Sequence, residues 1–222
     1  MNHPPRQLAL DLVQPLCPSL DNFVVGRNAE PLAALRAISA GHGERFILLW
    51  GGEGSGRTHL LRAVAASMES RWMDPESEPA VFDPAVRVYL ADDVDRYKEA
   101  HAQRLFVLQN EVRASRDATL VASAGAPPTQ LALRDDIRTR LAWGLVYQLH
   151  GLTDIEKEEA LRAHAASRGV GLSHEVLSYL LTHMPRDLST QVAVLDALDA
   201  YALAAKRAIT VPLVREWAST HA

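Results

Sequence analysis

Phe46-Ile-Leu-Leu-Trp50, Gly51-Gly-Glu-Gly-Ser-Gly-Arg-Thr58 and His59-Leu-Leu-Arg-Ala-Val-Ala-Ala66 form one continuous stretch, and its reading decides the fold. A short apolar run, a glycine-rich loop and a helix-forming segment follow one another in the order of a phosphate-binding P-loop. Gly51, Gly56 and Thr58 stand where that pattern requires them. A loop rich in glycine only to make a tight turn would not need strand, spacing and helix to agree. Gly52, Gly54, Ser55 and Gly56 leave backbone N–H groups unobstructed, and the following helix adds its positive N-terminal end. Thr58 is expected to offer its hydroxyl to Mg²⁺. The cation at position 57 should reach the outer phosphates. That cation is Arg57 rather than lysine. Its planar fork is bulkier than an ammonium and favours bidentate contacts. The expectation is therefore retained diphosphate binding with impaired positioning of a γ-phosphate.

Composition sets the frame around this loop. The chain has 222 residues, 48% of them apolar, enough for a sizeable core with a smaller appendage. A single cysteine, Cys17, excludes an internal disulfide and fits a reducing compartment. The proline-bearing N-terminus shows no secretory pattern, and no apolar run is long enough to span a bilayer. A cytoplasmic protein without membrane association is expected. With 27 acidic against 23 basic residues the formal charge is −4, which gives no electrostatic footprint for autonomous DNA binding.

Three regions follow along the chain. Residues 1–19, with Pro4, Pro5, Pro15 and Pro18, read as an extended arm. Residues 20–151 alternate strands and helices, which predicts an α/β unit: a parallel sheet covered by helices on both faces. An amphipathic stretch through Leu32, Leu35 and Ile38 precedes the 46–50 strand. Residues 71–85 predict a very short strand and a loop. Further strands are expected at 86–91, 119–123 and 145–149, and helices at 97–115 and 131–141. Residues 152–222 read as a small all-helical domain. Thr153-Asp-Ile-Glu156 is a capping box, Ser173 a second cap, and Pro185 is expected to open a third helix. No His/Cys metal spacing appears.

Val88-Tyr-Leu-Ala-Asp92-Asp93 places two carboxylates at the C-terminal end of a strand, where open α/β sheets bind ligands. Asp92 is expected to hold Mg²⁺ through water and Asp93 to polarise an attacking water. Arg138 and Arg140 precede the last strand. Each could be an arginine finger, or part of a solvated face paired with Asp135 and Asp136.

These motifs resemble the AAA+ module of the DnaA family of replication initiators, and more closely its shorter Hda branch. Phe23-Val-Val-Gly-Arg-Asn28 is similar to the adenine-side motif, implying that Phe23, Val24 and Asn28 contact the nucleotide. Gly52 to Leu61, including His59, resembles the Hda phosphate loop, where arginine in place of lysine is not unusual. Arg140-Leu-Ala-Trp-Gly144 is similar to the arginine-finger segment, which favours Arg140. Arg186-Asp-Leu resembles a sensor arginine reaching the nucleotide from a helical lid. Gln7-Leu-Ala-Leu-Asp-Leu12 resembles the hexapeptide that docks on the β sliding clamp of DNA polymerase III, with Gln7 as polar anchor and Leu8, Leu10 and Leu12 as apolar groups. The resemblance implies bound ADP or ATP with Mg²⁺, DnaA and the clamp as partners, association between copies, and stimulation of DnaA's ATP hydrolysis. It also implies a chain without DnaA's C-terminal DNA-binding domain. An autonomous ATPase, acting as initiator or helicase loader, is the other reading. Two departures weigh against strong intrinsic turnover: Arg57, and Gly125 where the family carries a polar sensor side chain.

Overall fold

The computed structural model describes residues 17–184 and 187–220, which divide into two compact units meeting at Gly151 and Leu152. The first is built on a five-stranded, fully parallel sheet: β1 (Phe46–Trp50), β2 (Ser70–Met73), β3 (Val88–Ala91), β4 (Thr119–Ala124) and β5 (Leu145–Gln148). Their spatial order is β2-β3-β4-β1-β5. The apolar run at 46–50 lies between two neighbours, because only such a strand buries both of its faces.

Side chains of β1 alternate between two cores, as strand geometry demands. Leu48 faces one core with Tyr89, Leu120 and Ala122, beneath α3 (Glu99–Ala114) and α4 (Asp135–Leu141). Ile47 and Leu49 face the other with Leu90 and Val121, beneath α1 (Ala29–Ser39) and α2 (Arg57–Ser67). Leu105, Leu108 and Val112 fall on the buried stripe of α3 at helical spacing, and Leu60, Leu61 and Val64 on that of α2.

One helix is shorter than the sequence suggests. Leu131 is buried but lies ahead of α4, which begins only at Asp135 after Pro127-Pro128 and a turn of 3-10 helix. Asp135 and Asp136 occupy its first turn, where the helix dipole favours acids. The expected helix at 97–115 is α3, preceded by a 3-10 turn at Val94–Arg96. Between β2 and β3 there is no helix. A loop braces itself instead, through Asp74 to the N–H groups of Glu76 and Ser77 and through the Tyr89 hydroxyl at Asp83.

The second unit contains α5 (Asp154–Ser167), α6 (His174–His183), α7 (Leu188–Ala205) and α8 (Val211–Thr220). Thr153 and Glu156 form the full reciprocal capping box, and Ser173 Oγ accepts the Val176 N–H. Among the described residues α7 starts at Leu188, capped by Asp187, whose carboxylate accepts the Thr190 N–H. An acid at that cap satisfies one of the unpaired N–H donors of the first turn. Pro185 and Arg186 themselves lie outside the described residues. The fourth helix, absent from the sequence expectation, contributes Leu213, Val214 and Trp217 to a core with Val176, Leu180, Val194 and Leu198. No helix among the described residues is long and apolar enough to cross a membrane.

Candidate functional site

The glycine loop leaves β1 with the Gly51 N–H bonded to the carbonyl of Ala124, at the end of β4 (3.1 Å). Position 51 admits no side chain, since a Cβ there would stand 2.5 Å from the Leu149 carbonyl and 2.8 Å from Ser55 Oγ. Gly54 and Gly56 take φ of 73° and 93°, a region that costs other residues steric strain. Gly56 is also the N-cap of α2, and a Cβ on it would press 2.7 Å from the Phe23 ring. Above Gly52 and Gly54 the space is open. The first turn of α2 carries no acid of its own, so no residue within it competes for its free N–H groups. Ser55 is buried and its Oγ has no hydrogen-bond partner among the described residues. An open bowl with an orphaned hydroxyl at a helix N-terminus fits a phosphate.

Acids and hydroxyls converge beside this bowl. Thr58 Oγ1 donates to Asp92 Oδ2 at 2.8 Å, and Ser123 Oγ donates to Asp92 Oδ1. The same Ser123 oxygen accepts the Asp93 N–H at 2.9 Å. Asp92 is only 5% exposed, so these hydroxyls supply part of the solvation that it loses on burial. Asp93 adopts left-handed backbone, φ 48°, and its carboxylate pairs with Arg57 Nη2 at 2.9 Å. Arg57 Nη1 donates back to the carbonyls of Gly51 and Gly52, so its guanidinium spans the loop. Close by, the Tyr97 hydroxyl donates to the Met73 carbonyl (2.8 Å). Burial, reinforced by the charges of Asp92, Asp74 and Asp93, pushes its pKa far above the usual tyrosine range.

The entry segment closes over the loop from the other side. Phe23 packs on Gly56 and lies 5.6 Å, ring to ring, from His59. Burial lowers the pKa of His59, partly opposed by its contact with the Ser19 carbonyl. Val24 is half-buried. Asn28 is buried with both ends of its amide engaged, Nδ2 donating to the His150 carbonyl at 2.9 Å and Oδ1 accepting the His150 N–H at 2.8 Å. It therefore ties the entry segment to the end of the sheet.

The arginines before β5 separate into two kinds. Arg134 pairs with Asp136 (2.6 Å) and Arg138 with Asp135, the solvated-face arrangement. Arg140 has no such carboxylate among the described residues. Its guanidinium lies 4.1 Å over the Phe106 ring and 5.2 Å from that of Trp143. Its hydrogen bonds run to Asn110 Oδ1 (3.2 Å) and the Asp136 carbonyl (3.0 Å). Beneath it a small cavity is lined by Phe46, Ile47, Gln109 and Leu141, and the fully buried Gln109 amide has neither atom bonded among the described residues.

Thr58, Asp92, Asp93 and Arg57 thus meet, with Phe23, Asn28 and His59 packed behind the loop. Arg186 and the 7–12 peptide lie outside the described residues. Ser123 escaped the sequence reading. Its signal was a hydroxyl at the C-terminal end of an apolar strand, and register supplies the rest: Ala91 pairs with Ala122, so Asp92 meets Ser123.

A parallel sheet in this order, with the glycine loop after its β1 strand and a helical unit following it in the chain, defines a AAA+ P-loop protein with a lid. Solved structures share the fold. Domain III of the replication initiation protein DnaA from Thermotoga maritima matches with TM-score 0.70 and 20% identity over 90% of this chain and 94% of its own. AMPPCP-bound DnaA from Aquifex aeolicus matches at 0.66, with 18% identity over 85% of this chain and 67% of its own. The Holliday junction branch migration motor RuvB of Thermotoga maritima matches at 0.63, with 18% identity over 91% and 72%. Residues 154–217 match the family model of the Hda lid domain. An uncharacterized protein of Haemophilus influenzae is 33% identical over 225 residues, spanning 95% of this chain and 97% of the relative. The chain belongs to the Hda/DnaA-like AAA+ family.

Proposed function

We propose that this protein is a regulator of replication initiation that binds a nucleotide, docks on the β sliding clamp through residues 7–12, and stimulates ATP hydrolysis by DnaA. Arg140 carries the proposal. In the 134–140 stretch it is the arginine that pairs with no carboxylate among the described residues, and it rests on an aromatic face. An ion-paired arginine would have to break that pair before serving a partner. Arg140 can be delivered to the phosphate charge developing in a neighbouring site, an effect worth ~10³–10⁵ in rate.

Within this chain, the loop N–H groups and Ser55 would hold the phosphates of ADP or ATP. Thr58 and Asp92 would hold Mg²⁺, which supplies charge neutralisation at the phosphates. Phe23, Val24, Asn28 and His59 shape the base side, and Arg186 would approach from the lid. Asp93 is engaged by Arg57, and Gly125 brings no side chain. Both features support a protein that activates another's hydrolysis rather than turning over rapidly itself.

The test is ATP hydrolysis by purified DnaA on clamp-loaded DNA, with and without this protein. Arg140→Ala should abolish stimulation while clamp binding persists. Simultaneous alanine substitution of Gln7, Leu8, Leu10 and Leu12 should abolish both. Absence of stimulation, together with substantial hydrolysis by this protein alone that is lost in Asp93→Asn, would establish the autonomous ATPase instead.

A further inference from the structure

Arg140 shares its support with a second cation. Trp143, just ahead of β5, is held in edge-on contact with Phe46, 5.6 Å between ring centroids and 82° between planes. The Arg113 guanidinium lies 4.3 Å from the Trp143 ring centroid, and that of Arg140 5.2 Å from it. The two charges are therefore no further apart than these two stacking distances laid end to end. Neither pairs with a carboxylate among the described residues, whereas Arg104, Arg134 and Arg138 nearby pair with Glu111, Asp136 and Asp135.

Helix capping does not account for Arg113. It falls in the last turn of α3, where a cation suits the helix dipole, but the carbonyls there are already served. Arg45 donates to those of Val112, Ser115 and Ala118. Arg113 is exposed, yet it stacks on the indole that also carries Arg140, against their mutual repulsion. Phe106, Asn110 and Arg113 recur at helical spacing, so the stripe of α3 that holds Arg140 also sets a second cation beside it. Two guanidiniums fixed on one aromatic post, with no acid between them, form a face that an anion completes.

We propose that Arg113 is a docking cation, which receives an acidic side chain at the nucleotide end of the neighbouring module while Arg140 reaches the phosphates there. The inference rests on the role proposed above for Arg140 and adds the residue that holds the partner in register. This chain shows what such an end presents. Beside its own phosphate loop, Glu53 and Asp95 are exposed carboxylates, Asp95 accepting the Gly125 N–H at 3.0 Å. An exposed charge of this kind acts on encounter and residence rather than on the chemical step, and salt screens it.

Hydrolysis of ATP by purified DnaA on clamp-loaded DNA, titrated with the full-length protein, separates the two cations. Arg113→Gln should raise the half-saturating concentration about fivefold and leave the maximal rate within about twofold, and Arg113→Glu should raise it further. Both effects should shrink as salt is added, and Arg113→Lys, which keeps the charge, should recover a large part of the loss. Because Arg113 is exposed, thermal unfolding of the variants should match wild type. A fall in maximal rate at unchanged half-saturation would put Arg113 on the phosphates and overturn the proposal. No change in either quantity overturns it as well, and leaves the Arg140 reading standing. Failure of wild type to stimulate at any concentration overturns the Arg140 reading, and the proposal with it.

Discussion

Removing the Ser123 hydroxyl should loosen the junction between β3, β4 and the phosphate loop. Ser123 is fully buried, and its single oxygen makes two contacts: it donates to the buried Asp92 carboxylate and accepts the Asp93 N–H at 2.9 Å. A hydrogen bond to a charged group is worth about 1.5–3 kcal/mol, and a neutral one about 1 kcal/mol. Ser123→Ala fits the space without overpacking, so the expected loss is about 3 kcal/mol. Urea unfolding followed by tryptophan fluorescence reads it, since Trp50, Trp72 and Trp143 all lie in the α/β unit. With m of about 2–3 kcal/mol per M, the midpoint should fall by roughly 1–1.5 M at unchanged m. Ser123→Thr retains the hydroxyl and should recover a large part of the loss. A change below about 1 kcal/mol for Ser123→Ala would refute the idea that this hydroxyl solvates the Asp92 carboxylate.

Gln109→Leu should stabilise the protein, because it replaces a fully buried amide with both atoms unbonded by an apolar group of similar volume. A gain of about 1–3 kcal/mol, some 2–4 °C in Tm per kcal/mol, is expected, and a fall in Tm would mean that the amide is bonded through water in the adjoining cavity. Gly144→Ala should cost about 3 kcal/mol or more, since its Cβ would fall against the Phe46 carbonyl and force β5 away from β1; a near-neutral midpoint in urea would contradict that packing. His59 has its pKa lowered from 6.5, chiefly by burial, so the unfolded chain takes up the proton first. Its contribution to stability is complete above about pH 6.5 and declines as pH falls toward the lowered native value, by at most about 1.4 kcal/mol per pH unit. Unfolding free energies of wild type and His59→Gln, measured from pH 7.5 down to 5, should differ by that slope.

The parts of the fold that sequence made legible are those whose signals are local. The run at 46–50, the glycine spacing and the reciprocal cap of Thr153 and Glu156 each act within a few residues of chain, and each appears in the structure. The short strand and loop at 71–85 were legible for the same reason, because prolines and acids deny a helix there. What escaped depended on distant partners. Helix α8 is short, with Pro212 in its first turn, and its apolar residues gain their meaning from α6 and α7. Leu131 looked like part of a helical stripe, yet its burial is satisfied from a loop. Arg138 and Arg140 are two residues apart and chemically identical; only Asp135 on one side, and Phe106 with Asn110 on the other, tell them apart.

Helix α3 carries a consequence of a mechanical kind. Near its start, His101 meets the Ser77 carbonyl and Arg104 donates to the Ala80 carbonyl, so it clamps the loop that stands in for a crossover helix. Further along the same helix, Phe106 and Asn110 support Arg140. Sixteen residues of α-helix make a rod of about 24 Å that transmits displacement without bending much. The outer loop and the arginine are mounted on a single beam, and a load applied at one mounting is felt at the other.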